Sequence, residues 1–147
     1  MKELELGLKK ELIIISNSGI YILELYCKER TQITHKKFGA MNFAKGYYYY
    51  VGSAQKNLYQ RIERHKRKEK NLHWHIDYLT TNNNFNLKRI FTFKSKQKKF
   101  ECVLVSEVEN LFKLTYPIKH FGNSDCNSCV SHLLFSGRQI DLSRLTM

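Results

Sequence analysis

The sequence predicts a small α/β (α+β) domain, a central antiparallel or mixed sheet flanked by helices. Three observations lead there. Residues 20–27 (IYILELYC) and 47–51 are dense in β-branched and aromatic side chains, as strands are. Over 57–67 and 100–112 the apolar residues instead recur at steps of three and four, the helical period. The chain has 147 residues, 42% of them hydrophobic, which is enough for one buried core and argues for a single domain.

The elements follow in order. Leu4, Leu6 and Leu8 are compatible with strand or helix. Residues 12–15 form a short apolar run that predicts an extra strand, and Ser16, Asn17, Ser18 and Gly19 then form a turn. Residues 20–27 predict a central strand, 32–37 a weaker one, and 47–51 a strong one that stops at Gly52. From 57 to 67 a helix places Leu58 and Ile62 on one face and Arg61 and His65, four apart, on another. Residues 72–80 (LHWHIDYLT) predict a second helix, and 86–93 a strand. The helix over 100–112 turns Phe100, Val103, Leu104, Val108, Leu111 and Phe112 inward. A last short strand is expected near 132–135. The resulting division is an N-terminal extension over 1–18, a domain over 19–136 and a tail over 137–147.

Charge is concentrated. The net charge is +12, yet residues 56–70 supply +5 and residues 88–99 supply +6, leaving +1 for the rest. Two basic patches on an otherwise balanced chain point to a phosphate backbone. The residues that would meet it are Lys56, Arg64, Lys66, Arg67, Lys68, Lys88, Arg89, Lys94 and Lys96. The run at 12–15 is far short of the ~20 apolar residues a membrane span needs, so no membrane partner is expected. The N-terminus lacks the apolar stretch of a secretion signal. The four cysteines (27, 102, 126 and 129) are therefore expected to be reduced thiols in a cytoplasmic protein. A homodimer or a protein partner remains compatible with so small a domain.

Tyrosines mark strand ends: Gly19-Ile20-Tyr21 opens one strand and Tyr50-Val51-Gly52 closes another. Arg61 follows eleven residues after Tyr50, one helical turn before His65, and Glu101 opens the later helix. By alternation Tyr47 and Tyr49 face away from Tyr48 and Tyr50 and are read as packing residues.

This order resembles the GIY-YIG nuclease superfamily, with Val51 in place of isoleucine. More narrowly it resembles a small stand-alone branch of it, through Gly46-Tyr47-Tyr48, Val51-Gly52-Ser53-Ala54, residues 73–79, Phe121-Gly122, Ser124-Asp125-Cys126 and Ser131-His132. The spacing to Arg61 is about one residue longer than in better-known relatives, and the family's downstream asparagine has no clear match in Asn110 or Asn123. The resemblance implies a metal-dependent endonuclease acting on nucleic acid, DNA ahead of RNA. Tyr21 would activate water, Tyr50 would shape the site or share that role, and Arg61 would pair with the scissile phosphate. Glu101 would hold one Mg²⁺ or Mn²⁺. His65 would contact phosphate or shuttle a proton. The alternative is a binding module on the same scaffold that does not cleave and serves DNA repair or recombination.

His73, His75, Asp125 and His132 are candidates for supporting the site. His73 and Asp77, four apart on a helix, would pair. Cys126, Cys129 and His132 have zinc-like local spacing, with Cys102 or His120 as a fourth ligand. One chelating pair falls short of the usual two, so structural zinc is disfavoured there.

Overall fold

The computed structural model describes residues 1–4, 17–123 and 128–145. The fold is mixed α+β, as expected. Five antiparallel strands form the main sheet: β1 (Lys2–Leu4), β2 (Gly19–Cys27), β5 (Gly46–Ala54), β6 (Phe85–Lys94) and β7 (Leu133–Ser136), in the order β1-β6-β2-β5-β7. β3 (Thr31–His35) and β4 (Gly39–Phe43) form a separate hairpin. The helices are α1 (Leu58–Lys66), α2 (Asp77–Thr80) and α3 (Glu101–Phe112).

β2 occupies the middle of the sheet because both its faces are apolar. Tyr21, Leu23 and Leu25 pack with Tyr48, Tyr50, Leu58, Ile62, Ile76 and Leu79, under α1 and α2. Ile20 and Ile22 pack with Tyr49, Val51, Phe91, Phe93, Leu104, Val105 and Val108, under α3. The helices therefore cover opposite faces, and alternation along β5 separates Tyr49 from Tyr48 and Tyr50 as expected. Tyr48 is also a packing residue, its hydroxyl donating to the Ala44 carbonyl at 2.7 Å.

Glu24 is the one fully buried charge on β2. It accepts from Arg89 Nε at 2.8 Å and Nη2 at 2.6 Å, from the Tyr49 hydroxyl at 2.8 Å and from Gln139 Nε2 at 3.1 Å. Four donors offset the desolvation of the carboxylate.

Several expectations are corrected. The helix over 72–80 contracts to Asp77–Thr80. Asp77 Oδ2 accepts from the backbone N–H groups of His73 and Trp74 at 2.8 and 2.9 Å, so the preceding segment wraps its carboxylate instead of coiling. The His73 imidazole is thus not the partner of Asp77; Arg64 is, through Nη1 and Nη2, both at 2.9 Å. β5 continues past Gly52 because Ser53 and Ala54 still pair with Ile20 and Gly19. β4 was not expected: Ala40 and Asn42 are weak strand formers, and pairing with β3 supplies what propensity lacks. α3 buries Glu101, Leu104, Val105 and Val108, which leaves Val103 51% exposed. The candidate strand at 12–15 lies outside the described residues.

Candidate active site

The site grows from one cross-strand pair. Tyr21 on β2 sits opposite Gly52 on β5, and its ring crosses the space a side chain would fill: a Cβ on Gly52 would lie 2.6 Å from the Tyr21 Cζ and hydroxyl. Gly122 plays the same part for the second tyrosine. Its φ of +79° is in the left-handed region, and a Cβ there would lie 2.9 Å from Tyr50 Cε1. Two glycines thus seat two phenols on the α1 side of the sheet.

Arg61 reaches this place from the second turn of α1. Its Nη1 donates to the Ser53 carbonyl at 2.5 Å, and its guanidinium lies 4.7 Å from the centre of the Trp74 ring. Arg64 stacks on the same indole at 4.6 Å, so Trp74 is a spacer between two cations. Glu101, buried at the start of α3, closes the other wall. Its Oε1 lies 4.0 Å from His132 Nδ1.

Tyr21, Tyr50, Arg61 and Glu101 line one cavity of about 360 Å³, together with Ser53, Trp74, Lys98 and Gly122. His73 and His132, two of the support candidates, line it as well. His75 stands behind the wall, its Nδ1 accepting from the Gly122 N–H at 2.8 Å. Asp125 and Cys126 lie outside the described residues. Lys98 and the Ser53 carbonyl were missed. Lys98 was legible only as part of a charge run, and a carbonyl carries no sequence signal.

His65 lies beneath the cavity. Its Nε2 is 2.8 Å from the Tyr21 hydroxyl. Its Nδ1 is buried with no hydrogen-bond partner among the described residues. Burial, reinforced by the Lys70 charge, lowers the His65 pKa to about 3, so the imidazole is neutral. Burial raises the Tyr21 phenol well above its ordinary range, and Tyr50 adds to this while Arg61 opposes it. Tyr50 is raised as well, by burial and then by Glu101. Both phenols are protonated at neutral pH.

The basic residues divide. Across adjacent strands Ala54, Gly19 and Lys94 stand in register, so exposed Lys94, Lys96 and Lys56 rim the sheet end that carries Tyr21. Lys68 sits at the start of β6, donating to the Asn82 and Phe85 carbonyls. Lys66 pairs with Glu63 at 2.5 Å, and Arg67 is exposed just beyond α1. Lys88 lies 5.9 Å from the Tyr26 ring. The forks of Arg64 and Arg89 are held by the buried carboxylates of Asp77 and Glu24.

The cysteines depart from expectation. Cys102 and Cys129 are joined in a disulfide with Cα atoms 5.7 Å apart, well within bridging range. The bond ties the first turn of α3 to Cys129, a juxtaposition across 27 residues that local spacing could not disclose. Cys27 is a buried free thiol.

The family model described as "Domain of unknown function DUF123" matches residues 20–146, nearly the whole chain. The chain belongs to this family. The match corrects the resemblance drawn from the tripeptides, Arg61, Glu101 and the later segments: the family found over the chain is not the GIY-YIG superfamily. Short motifs scattered along a chain are weak discriminators beside a continuous match of this length. No curated protein and no solved structure matches the chain. No helix among its described residues is long and apolar enough to cross a membrane.

Proposed function

We propose that the chain is a metal-dependent endonuclease that hydrolyses phosphodiester bonds in nucleic acid, DNA ahead of RNA, in the cytoplasm. The observation that carries this reading is the convergence of two phenols, a guanidinium and one carboxylate, with Lys98 beside them, on one open cavity. Hydrolysis of a phosphodiester needs an activated water and a cation on the developing phosphorane charge. Arg61, fixed by Ser53 and Trp74, offers its remaining donors to a phosphate without first losing side-chain freedom. Lys98 adds a second positive charge.

The donor set fits one Mg²⁺ or Mn²⁺. Such an ion keeps most of its ligands as water and substrate oxygen and takes one or two carboxylates from protein. Glu101 would hold it, in a cavity open enough for those waters. When bound, the ion stabilises charge on the phosphate or leaving oxygen.

Tyr21 does not need to ionise beforehand. As it takes a proton from the attacking water, its own proton passes along the 2.8 Å bond to His65 Nε2, provided Nδ1 carries the imidazole hydrogen. The buried imidazolium so formed is opposed by burial and by the Lys70, Arg64 and Arg61 charges, and favoured by the Asp77 charge; the negative phosphorane would favour it further.

The raised pKa values of Tyr21 and Tyr50 also favour a second reading, a nucleic-acid-binding module without cleavage. Nicking of supercoiled DNA separates the two. The endonuclease requires Mg²⁺ or Mn²⁺ and loses activity in folded Arg61→Ala and Glu101→Ala variants. Salt-sensitive binding with no product on duplex, single-stranded or branched DNA, or on RNA, would establish the module and end the endonuclease reading.

A further inference from the structure

A thiol–imidazole cluster adjoins the Glu101 wall, with His132 reaching the cavity lining and the two sulfurs outside it, and none of the three is used in the proposed hydrolysis. Cys102 Sγ, Cys129 Sγ and one His132 ring nitrogen all lie within 4.8 Å of one another. Cys102 Sγ is 3.8 Å from His132 Nε2. We infer that, once the Cys102–Cys129 disulfide is reduced, the two sulfurs and His132 Nε2 bind one zinc ion, leaving a fourth position for water or another donor.

The geometry supports this. A tetrahedral zinc with Zn–S near 2.3 Å and Zn–N near 2.0 Å holds its donor atoms about 3.5–3.8 Å apart. The Cys102–His132 separation already has that value, and the sulfurs need only part from their bond. Two thiolates and one imidazole form a soft donor set that suits Zn²⁺ over Mg²⁺.

The scaffold is fixed on both sides. Cys102 is the second residue of α3, where the helix N-terminus favours a thiolate. The His132 backbone is pinned twice, its carbonyl accepting from Val51 N–H at 3.0 Å and its N–H donating to the Phe121 carbonyl at 2.9 Å. The Cys129 carbonyl accepts from Asn123 Nδ2 at 2.6 Å. The far side of the imidazole is also prepared. His132 Nδ1 faces Glu101 Oε1 at 4.0 Å, beyond hydrogen-bond length but close enough for the carboxylate charge to favour a ligating ring. Both cysteines are half-buried residues rather than core ones, which gives a reductant and an ion a route to them.

The chemistry balances. A phosphine reductant takes up the oxygen of one water and delivers two electrons and two protons to the disulfide, giving two thiols and a phosphine oxide. Zn²⁺ then displaces the two thiol protons. An oxidant such as a small disulfide or peroxide reverses this by removing two electrons from the thiolates and expelling the ion. The cluster thus exchanges a covalent bridge for a metal bridge between α3 and residues 129–132, next to Glu101.

The test uses the full chain and Co²⁺ as a spectroscopic probe, followed by displacement with Zn²⁺. Oxidised protein should take up no tetrahedral Co²⁺. After phosphine reduction it should take up one equivalent per chain with thiolate-to-metal absorption, bleached by one equivalent of Zn²⁺. Cys102→Ser and His132→Gln should each abolish the signal. The oxidised and reduced arms share one sequence, so a folding defect in either variant cannot mimic the result. Equal uptake before and after reduction, no uptake after reduction, or full uptake by Cys102→Ser would each overturn the inference. The readout does not depend on hydrolysis and stands whether or not the chain cleaves nucleic acid.

Discussion

The Tyr21 hydroxyl and His65 Nε2 share a hydrogen bond of 2.8 Å between a cavity wall and the buried side of α1. The bond joins a phenol too basic to ionise alone to an imidazole too buried to be charged alone. If they act as one relay, their losses do not add. Tyr21→Phe should lower single-turnover cleavage by about 10²–10⁴-fold, the range of a general base. His65→Ala should lower it comparably, and the double variant should be no worse than Tyr21→Phe. Fully multiplicative losses would show that the two residues work separately.

The same imidazole sets a pH dependence of stability. Its folded pKa, about 3, lies below the ordinary value near 6.5. Above pH 6.5 it is neutral in both states and its contribution is complete. As pH falls below 6.5 the unfolded chain gains a proton that the folded chain refuses, and stability is lost. Between pH 7 and 5 this amounts to about 2 kcal/mol. His35, His75 and His132, all lowered chiefly by burial, act in the same direction. Urea unfolding of wild type and His65→Gln at both pH values isolates the His65 share. Wild type should lose about 2 kcal/mol more than the variant; parallel losses would remove His65 as the cause.

What was legible in the sequence follows from what is local. β2, β6, α1 and α3 each carry a hydrophobic period that their own residues set. Tyr21, Tyr50, Arg61 and Glu101 were legible as residue types at element ends. The segment before Asp77 was misread because a carboxylate accepting two backbone N–H groups imitates a helix in composition. Arg64 and Arg89 looked like surface charge because their partners, Asp77 and Glu24, are 13 and 65 residues away. The Cys102–Cys129 bond was hidden for the same reason, behind a nearer Cys126–Cys129 pair. The tripeptides, Arg61, Glu101 and the later short segments suggested a family that the match over residues 20–146 replaced.

Gly52 offers a test of site shape apart from charge. A methyl group there would meet the Tyr21 ring at 2.6 Å, and the ring must swing away. Gly52→Ala should therefore cost about 1–3 kcal/mol, as overpacking does, and should abolish cleavage in protein that remains folded at 25 °C. Circular dichroism melts and nicking assays on the same sample check this. Retained cleavage would show that Tyr21 need not lie across Gly52.

The basic residues separate by position, and salt dependence can read the difference. Lys94 lies in register with Gly19, at the Tyr21 end of the sheet. Lys88 is six residues back along β6, about 20 Å away at strand rise. Each lysine–phosphate contact contributes about 0.9 to the slope of log affinity against log salt. Binding to duplex DNA without divalent ions should lose about 2 from that slope in Lys94→Gln/Lys96→Gln. In Lys88→Gln it should be unchanged. Arg89→Ala should behave differently again, because it strands the buried Glu24 carboxylate. Its expected effect is a stability loss of about 3–5 kcal/mol, with an unaltered salt slope in whatever fraction stays folded. A slope that falls equally for Lys88 and Lys94 would place the phosphate track along the whole of β6 instead of at its cavity end.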